Sequence, residues 1–138
     1  TVIVGANNAA AAPLLERVFL FLEDGKWQDA NIYCEKVLDI DPKNAEAYLG
    51  KLMVELQVKN RKQLADCADP FDNSDNYAKV LRFGDETLEN EMRGYIAHIN
   101  ERNENARLTG LYENAQRAMR SAQSIIDSHP VGNPPVYS

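Results

Sequence analysis

Cys34 and Cys67 are the only thiols and His98 and His129 the only imidazoles in the chain, so a nucleophile-base pair or a soft metal site must be drawn from these four residues. No Cys-x-x-Cys or His-Glu-x-x-His pairing occurs among them, and they are strung out from Cys34 to His129. A four-ligand site would need all of them to converge. Both cysteines fall in stretches that read as helical and apolar, where a buried thiol acts as a small hydrophobe rather than a nucleophile.

Hard-cation and acid-base chemistry have more candidates but the wrong spacing. Asp69, Asp72, Asn73 and Asp75 resemble the start of a calcium loop. The glycine needed at the sixth position is Ser74 and the glutamate needed at the twelfth is Val80, so the run reads as turn and helix-cap chemistry. Carboxylate pairs such as Glu23-Asp24, Asp39 with Asp41 and Glu89 with Glu91 fall at helix ends or on wet faces. General acid-base work instead requires one partner raised by burial. Gly25, Gly50, Gly84, Gly94, Gly110 and Gly132 stand apart and form no phosphate-cradling loop. No catalytic residue, metal site or cofactor is therefore expected, and the chain does not read as an enzyme.

With a net charge of -6 and its basic residues scattered, the chain is a poor match for a phosphate backbone. The single close basic run, Lys59-Asn60-Arg61-Lys62, is followed by Asp66 and Asp69. No stretch is long and apolar enough to span a membrane. Thr1 stands where a full-length chain would carry Met, which suggests a piece of a longer protein. Localisation is left open by the sequence, with the two cysteines leaning toward a reducing, cytoplasmic-side setting.

These residues are carried by apolar stripes at helical spacing. Residues 1–12 read as an arm or linker, and Pro13 is suited to a helix start. Leu14, Leu15, Val18, Phe19 and Leu22 follow, until Asp24-Gly25 stops the helix. A second helix is expected from Trp27 to Ile40, burying Trp27, Ala30, Tyr33, Cys34, Val37 and Leu38, with Asp41-Pro42 as its stop. Asn44 can cap a third, Ala45 to about Val58, and a short fourth runs from Arg61 to Ala68. After the turn-rich Asp69–Ser74, a fifth helix covers Asp75 to Phe83, a sixth Glu86 to about Arg102, and a last Glu104 to Ile126 with one wet face. Residues 127–138, with Pro130, Pro134 and Pro135, read as an extended tail.

Gly25 at a turn, Trp27 just after it, small Ala30, the Tyr33-Cys34 pair, Val37, and Pro42 at the end of the unit together resemble the tetratricopeptide repeat, with Tyr48 restarting the register. One period after Ala30 stands Leu64, after Val37 Phe71, and after Pro42 Asn76, so the register fades beyond about residue 57. The stretches Tyr48–Met53, Asp69-Pro70-Phe71, Leu81–Asp85 and Gly94-Tyr95 are also similar to a group of bacterial proteins in which such a domain follows zinc-ribbon or membrane-associated segments.

The resemblance implies an all-α, right-handed stack of antiparallel helix pairs over residues 13–126, with a divergent carboxy-terminal helical portion covering the open edge. It further implies a protein-protein interaction module whose concave face is lined by the first helix of each pair. Here that face would carry Leu15, Phe19, Leu22, Leu49, Met53 and Leu56. Repeats that clasp a terminal carboxylate carry Lys, Arg and Asn there, so an apolar groove for an unidentified protein or peptide is expected instead. The competing expectation is a spacer or self-association domain forming a homo-oligomer, with the apolar strip filled or paired.

Overall fold

The computed structural model describes residues 2–128, and side chains from Ala9 onward. The expected proline-rich tail lies outside the described residues from position 129, and positions 127 and 128 are helical. Every described element is helical: α1 (Val2–Glu23), α2 (Trp27–Ile40), α3 (Ala45–Leu56), a short 3-10 helix (Arg61–Asp66), α4 (Asp75–Phe83) and α5 (Glu86–Ser128). Packing divides the chain into two compact units, residues 1–100 and 101–138.

Three expectations need correction. The amino-terminal arm is helix: α1 begins at Val2 and carries Pro13 inside it. Alanines 9–12 favour helix strongly, and Ala11 is fully buried against Val37 and Ala47, so packing holds the segment despite the hydrogen bond that Pro13 cannot donate. The two expected carboxy-terminal helices are one, because Arg102-Asn103-Glu104 interrupts the apolar stripe without supplying a helix breaker. The expected fourth helix is a 3-10 turn ending at Asp66.

In the first unit α1 and α2 are joined by a three-residue turn and pack on each other as an antiparallel hairpin, and α3 packs on both and on α4. Helix α1 ends in a Schellman motif, with Lys26 N–H donating to Phe21 C=O at 2.9 Å and Gly25 N–H to Leu22 C=O at 3.0 Å. Gly25 has φ +72°, which glycine adopts without a Cβ penalty. Helix α3 ends the same way, Val58 to Met53 at 3.0 Å and Gln57 to Val54 at 3.1 Å, but its left-handed residue is Gln57 at φ 54°. One core runs through Val18 and Leu22 of α1, Ala30 and Cys34 of α2, Leu49, Leu52 and Met53 of α3, then Leu64, Phe71, Tyr77 and Val80 to Leu88, Met92, Ile96 and Ile99 of α5.

Gly50 lets α3 approach its neighbours. A Cβ there would lie 2.8 Å from both Cys34 Sγ and Val18 Cγ1. Trp27, expected inside, is half-buried against the core. The acidic segment before α4 does turn and cap work: Ser74 Oγ accepts from Asn76 and Tyr77 N–H and donates to Glu55 Oε1 at 2.7 Å. In the second unit, Glu101 onward, every residue from 111 to 128 of α5 is exposed.

Candidate functional site

A pocket of about 510 Å³ opens where the α1 carboxy terminus meets the end of α3, lined by Phe19, Glu23, Met53, Lys59, Asn60, Arg61 and Lys62. The Schellman turn at Gln57 places this rim, because it turns the chain directly after Leu56 and closes with Val58 N–H on Met53 C=O. A capping box then holds the segment that follows. Asn60 Oδ1 accepts from Gln63 N–H at 3.2 Å, and Gln63 Oε1 accepts from Lys59 N–H at 3.0 Å and Asn60 N–H at 3.4 Å. Lys59 is thereby laid beside Gly25, where a Cβ would be 3.5 Å from Lys59 Cε.

The three cations of the rim are not equivalent. Arg61 is turned into the domain: Nε donates to Glu91 Oε2 at 2.9 Å, NH2 to Glu91 Oε1 at 3.1 Å and NH1 to Glu46 Oε1 at 3.3 Å. Tyr95 donates to Glu91 Oε2 at 2.5 Å. Burial alone would raise the Glu91 carboxyl, but the Arg61 and Tyr95 hydrogen bonds and the Arg61 charge outweigh it and hold it below the usual carboxylate range. Burial and the same bond push the Tyr95 phenol up to about 12. Arg61 is therefore neutralised from within. Lys59 and Lys62 are exposed and make no ion pair among the described residues, so they are the cations a bound group would meet, with Glu23 also lining the pocket.

Of the six residues expected to line a continuous groove, Phe19 and Met53 meet in this pocket, with Met53, 1% exposed, closing its floor. The continuous strip itself is corrected. Leu22 and Leu49 are 0% exposed and belong to the core, because α1 and α3 face each other along that edge. Leu15 packs instead with the smaller cluster of Ala11, Val37 and Ala47, and Leu56 is half-buried against the main core. The sequence shows the basic run but assigns it no site, although Asn60-Arg61-Lys62-Gln63 carries the capping-box spacing that positions it.

Chemically the pocket offers an apolar base and two free ammonium groups. Among the described residues no cluster of His, Cys, Asp and Glu is placed to hold a metal ion. Burial pushes the Cys34 thiol up to about 12, which keeps it protonated and unreactive at neutral pH. Among the described residues no helix is long and apolar enough to cross a membrane. Compared with protein-family models, curated proteins and solved structures, the chain finds no match.

Proposed function

We propose that the chain is a protein-interaction module, a short right-handed stack of tetratricopeptide-like helix pairs that holds an extended peptide segment of a partner protein. The observation that carries this reading is the pocket at Phe19 and Met53 with Lys59 and Lys62 on its rim. A partner that fits it presents a large apolar side chain flanked by carboxylates. The side chain would displace water from Phe19, and the carboxylates would meet the two lysines. The α1-α2 hairpin with Gly25 at its turn, fully buried Ala30, and the close approach of α3 at Gly50 support the repeat-like stacking.

A fluorescein-labelled peptide with a Leu-Phe centre flanked by Asp and Glu tests the reading against the same peptide flanked by Lys. The acidic form should bind at least about tenfold more tightly at low salt, with the preference lost in Lys59→Glu/Lys62→Glu and affinity reduced in Phe19→Ala. Equal binding of both peptides, or unchanged binding by both variants, would remove the pocket as the contact surface. The second reading, self-association, is favoured by a separate observation on α5.

A further inference from the structure

Among the described residues, the second unit carries an exposed apolar stripe on α5. Leu108, Leu111, Tyr112, Met119, Ile125 and Ile126 are between 49% and 70% exposed. Scattered exposed leucines need no explanation, whereas six on one helix do. Leu108, Tyr112, Ala115, Met119, Ala122 and Ile126 alternate steps of four and three, the spacing of a coiled-coil seam about 27 Å long on a straight helix. Leu111, Ala118 and Ile125 extend the seam on one flank, and Thr109, Gln116 and Gln123 border it on the other. The charged residues between Leu108 and Ile126 are Glu113, Arg117 and Arg120, all on the side away from the seam.

We infer that this stripe pairs with the same stripe of a second copy of the chain, the two helices running antiparallel about a twofold axis at the level of Arg117. In that register Tyr112 faces Ala122 of the other copy, Met119 faces Ala115, and Ile126 faces Leu108. Each bulky Tyr or Met meets a small alanine, so the helices keep one spacing along the seam. Leu111 then lies beside Ile125 and Ala118 beside its own counterpart, which buries the apolar flank as well. A parallel pair would stack Tyr112 on Tyr112 and Met119 on Met119, with Ala-Ala layers between them. The helices would have to bulge and pinch in turn.

Two further points favour a second copy over an unrelated partner. The stripe is complementary to itself in size under the twofold operation, and no charge is buried when it closes on itself. The six large side chains offer several hundred Å² per copy, near the roughly 800 Å² per partner of a stable interface. The amide and hydroxyl flank of Thr109, Gln116 and Gln123 adds no like-charge repulsion.

The test uses the full 138-residue chain. Sedimentation equilibrium should give twice the mass of one chain, and Met119→Glu, at a site 70% exposed in the single copy, should raise the dimer dissociation constant by at least about tenfold. A short bis-maleimide should link Ala118→Cys chains into dimers above the wild-type background. Ala122→Cys should not cross-link, because its counterpart lies about 15 Å away along an antiparallel pair. A one-chain mass at all concentrations overturns the inference, as does a dimer that Met119→Glu leaves intact. More efficient linking of Ala122→Cys than of Ala118→Cys overturns the antiparallel register. None of these outcomes depends on the peptide pocket.

Discussion

Gly50 of α3 and Cys34 of α2 approach so closely that a single added carbon on the glycine would lie 2.8 Å from the sulfur, inside any real contact distance. Val18 Cγ1 of α1 would be met at the same 2.8 Å, and both partners are fully buried. Gly50→Ala therefore sets two effects against each other. Alanine gains about 1 kcal/mol of helix propensity over glycine, while overpacking a filled core costs about 1–3 kcal/mol. Because neither neighbour is free to swing away, overpacking should win, with a net loss of up to about 2 kcal/mol in urea unfolding. A stabilised Gly50→Ala protein would mean that α1, α2 and α3 do not meet at this point.

The same contact predicts the chemistry of the thiol. With Cys34 0% exposed and pushed up to about 12, native protein at pH 8 should alkylate at this position far more slowly than urea-unfolded protein. Peptide mapping after iodoacetamide treatment reads the ratio. Rapid labelling of Cys34 in the folded chain would place it outside the core.

Glu91, Arg61 and Tyr95 tie α5 to the 3-10 turn, and two of them set opposite pH limits. Glu91 lies below its ordinary value, so its contribution to stability is present above the unfolded carboxyl value of about 4.3 and is lost as pH falls through the folded one. Tyr95 is raised to about 12, so its contribution is present below the unfolded phenol value of about 10 and is lost as pH climbs toward the folded one. Urea midpoints of wild type and Glu91→Gln across pH should differ most between these limits and converge toward acid. A constant difference down to pH 2 would show that Glu91 does not act through its charge.

Gln57 holds a left-handed conformation at φ 54° that glycine accepts and other side chains resist. Gln57→Gly should raise stability by about 0.5–1 kcal/mol without altering the Schellman turn. Gly25→Ala, at φ +72° in the equivalent turn of α1, should lower it by a similar amount. Thermal unfolding of the pair checks both signs together, and a loss in Gln57→Gly would mean that the glutamine side chain contributes more than its backbone conformation costs.

Much of this architecture was legible in the residues. Asp41-Pro42 and Gly84 mark helix ends in plain chemistry, so the expected bounds of α2 and α4 match those observed. Pro13 misled because a proline that suits a helix start is tolerated inside one when Ala11 packs against Val37 and Ala47. The break expected near Asn103 was a lapse in the apolar stripe, and a stripe reports burial rather than helix continuity.

For the site, the chain by itself determined that Phe19 and Met53 lie on apolar stripes and that Lys59, Arg61 and Lys62 cluster, since composition and periodicity are local properties. Periodicity does not say which edge of a stripe meets another helix, so only the packing of α1 on α3 decided that Leu22 and Leu49 are core while Phe19 stays at the pocket. Only tertiary structure, too, divided the basic cluster. Glu46 and Glu91, distant in sequence, take Arg61 inward, and the left-handed turn at Gln57 leaves Lys59 and Lys62 facing water, because charge pairing depends on distance in space and not along the chain.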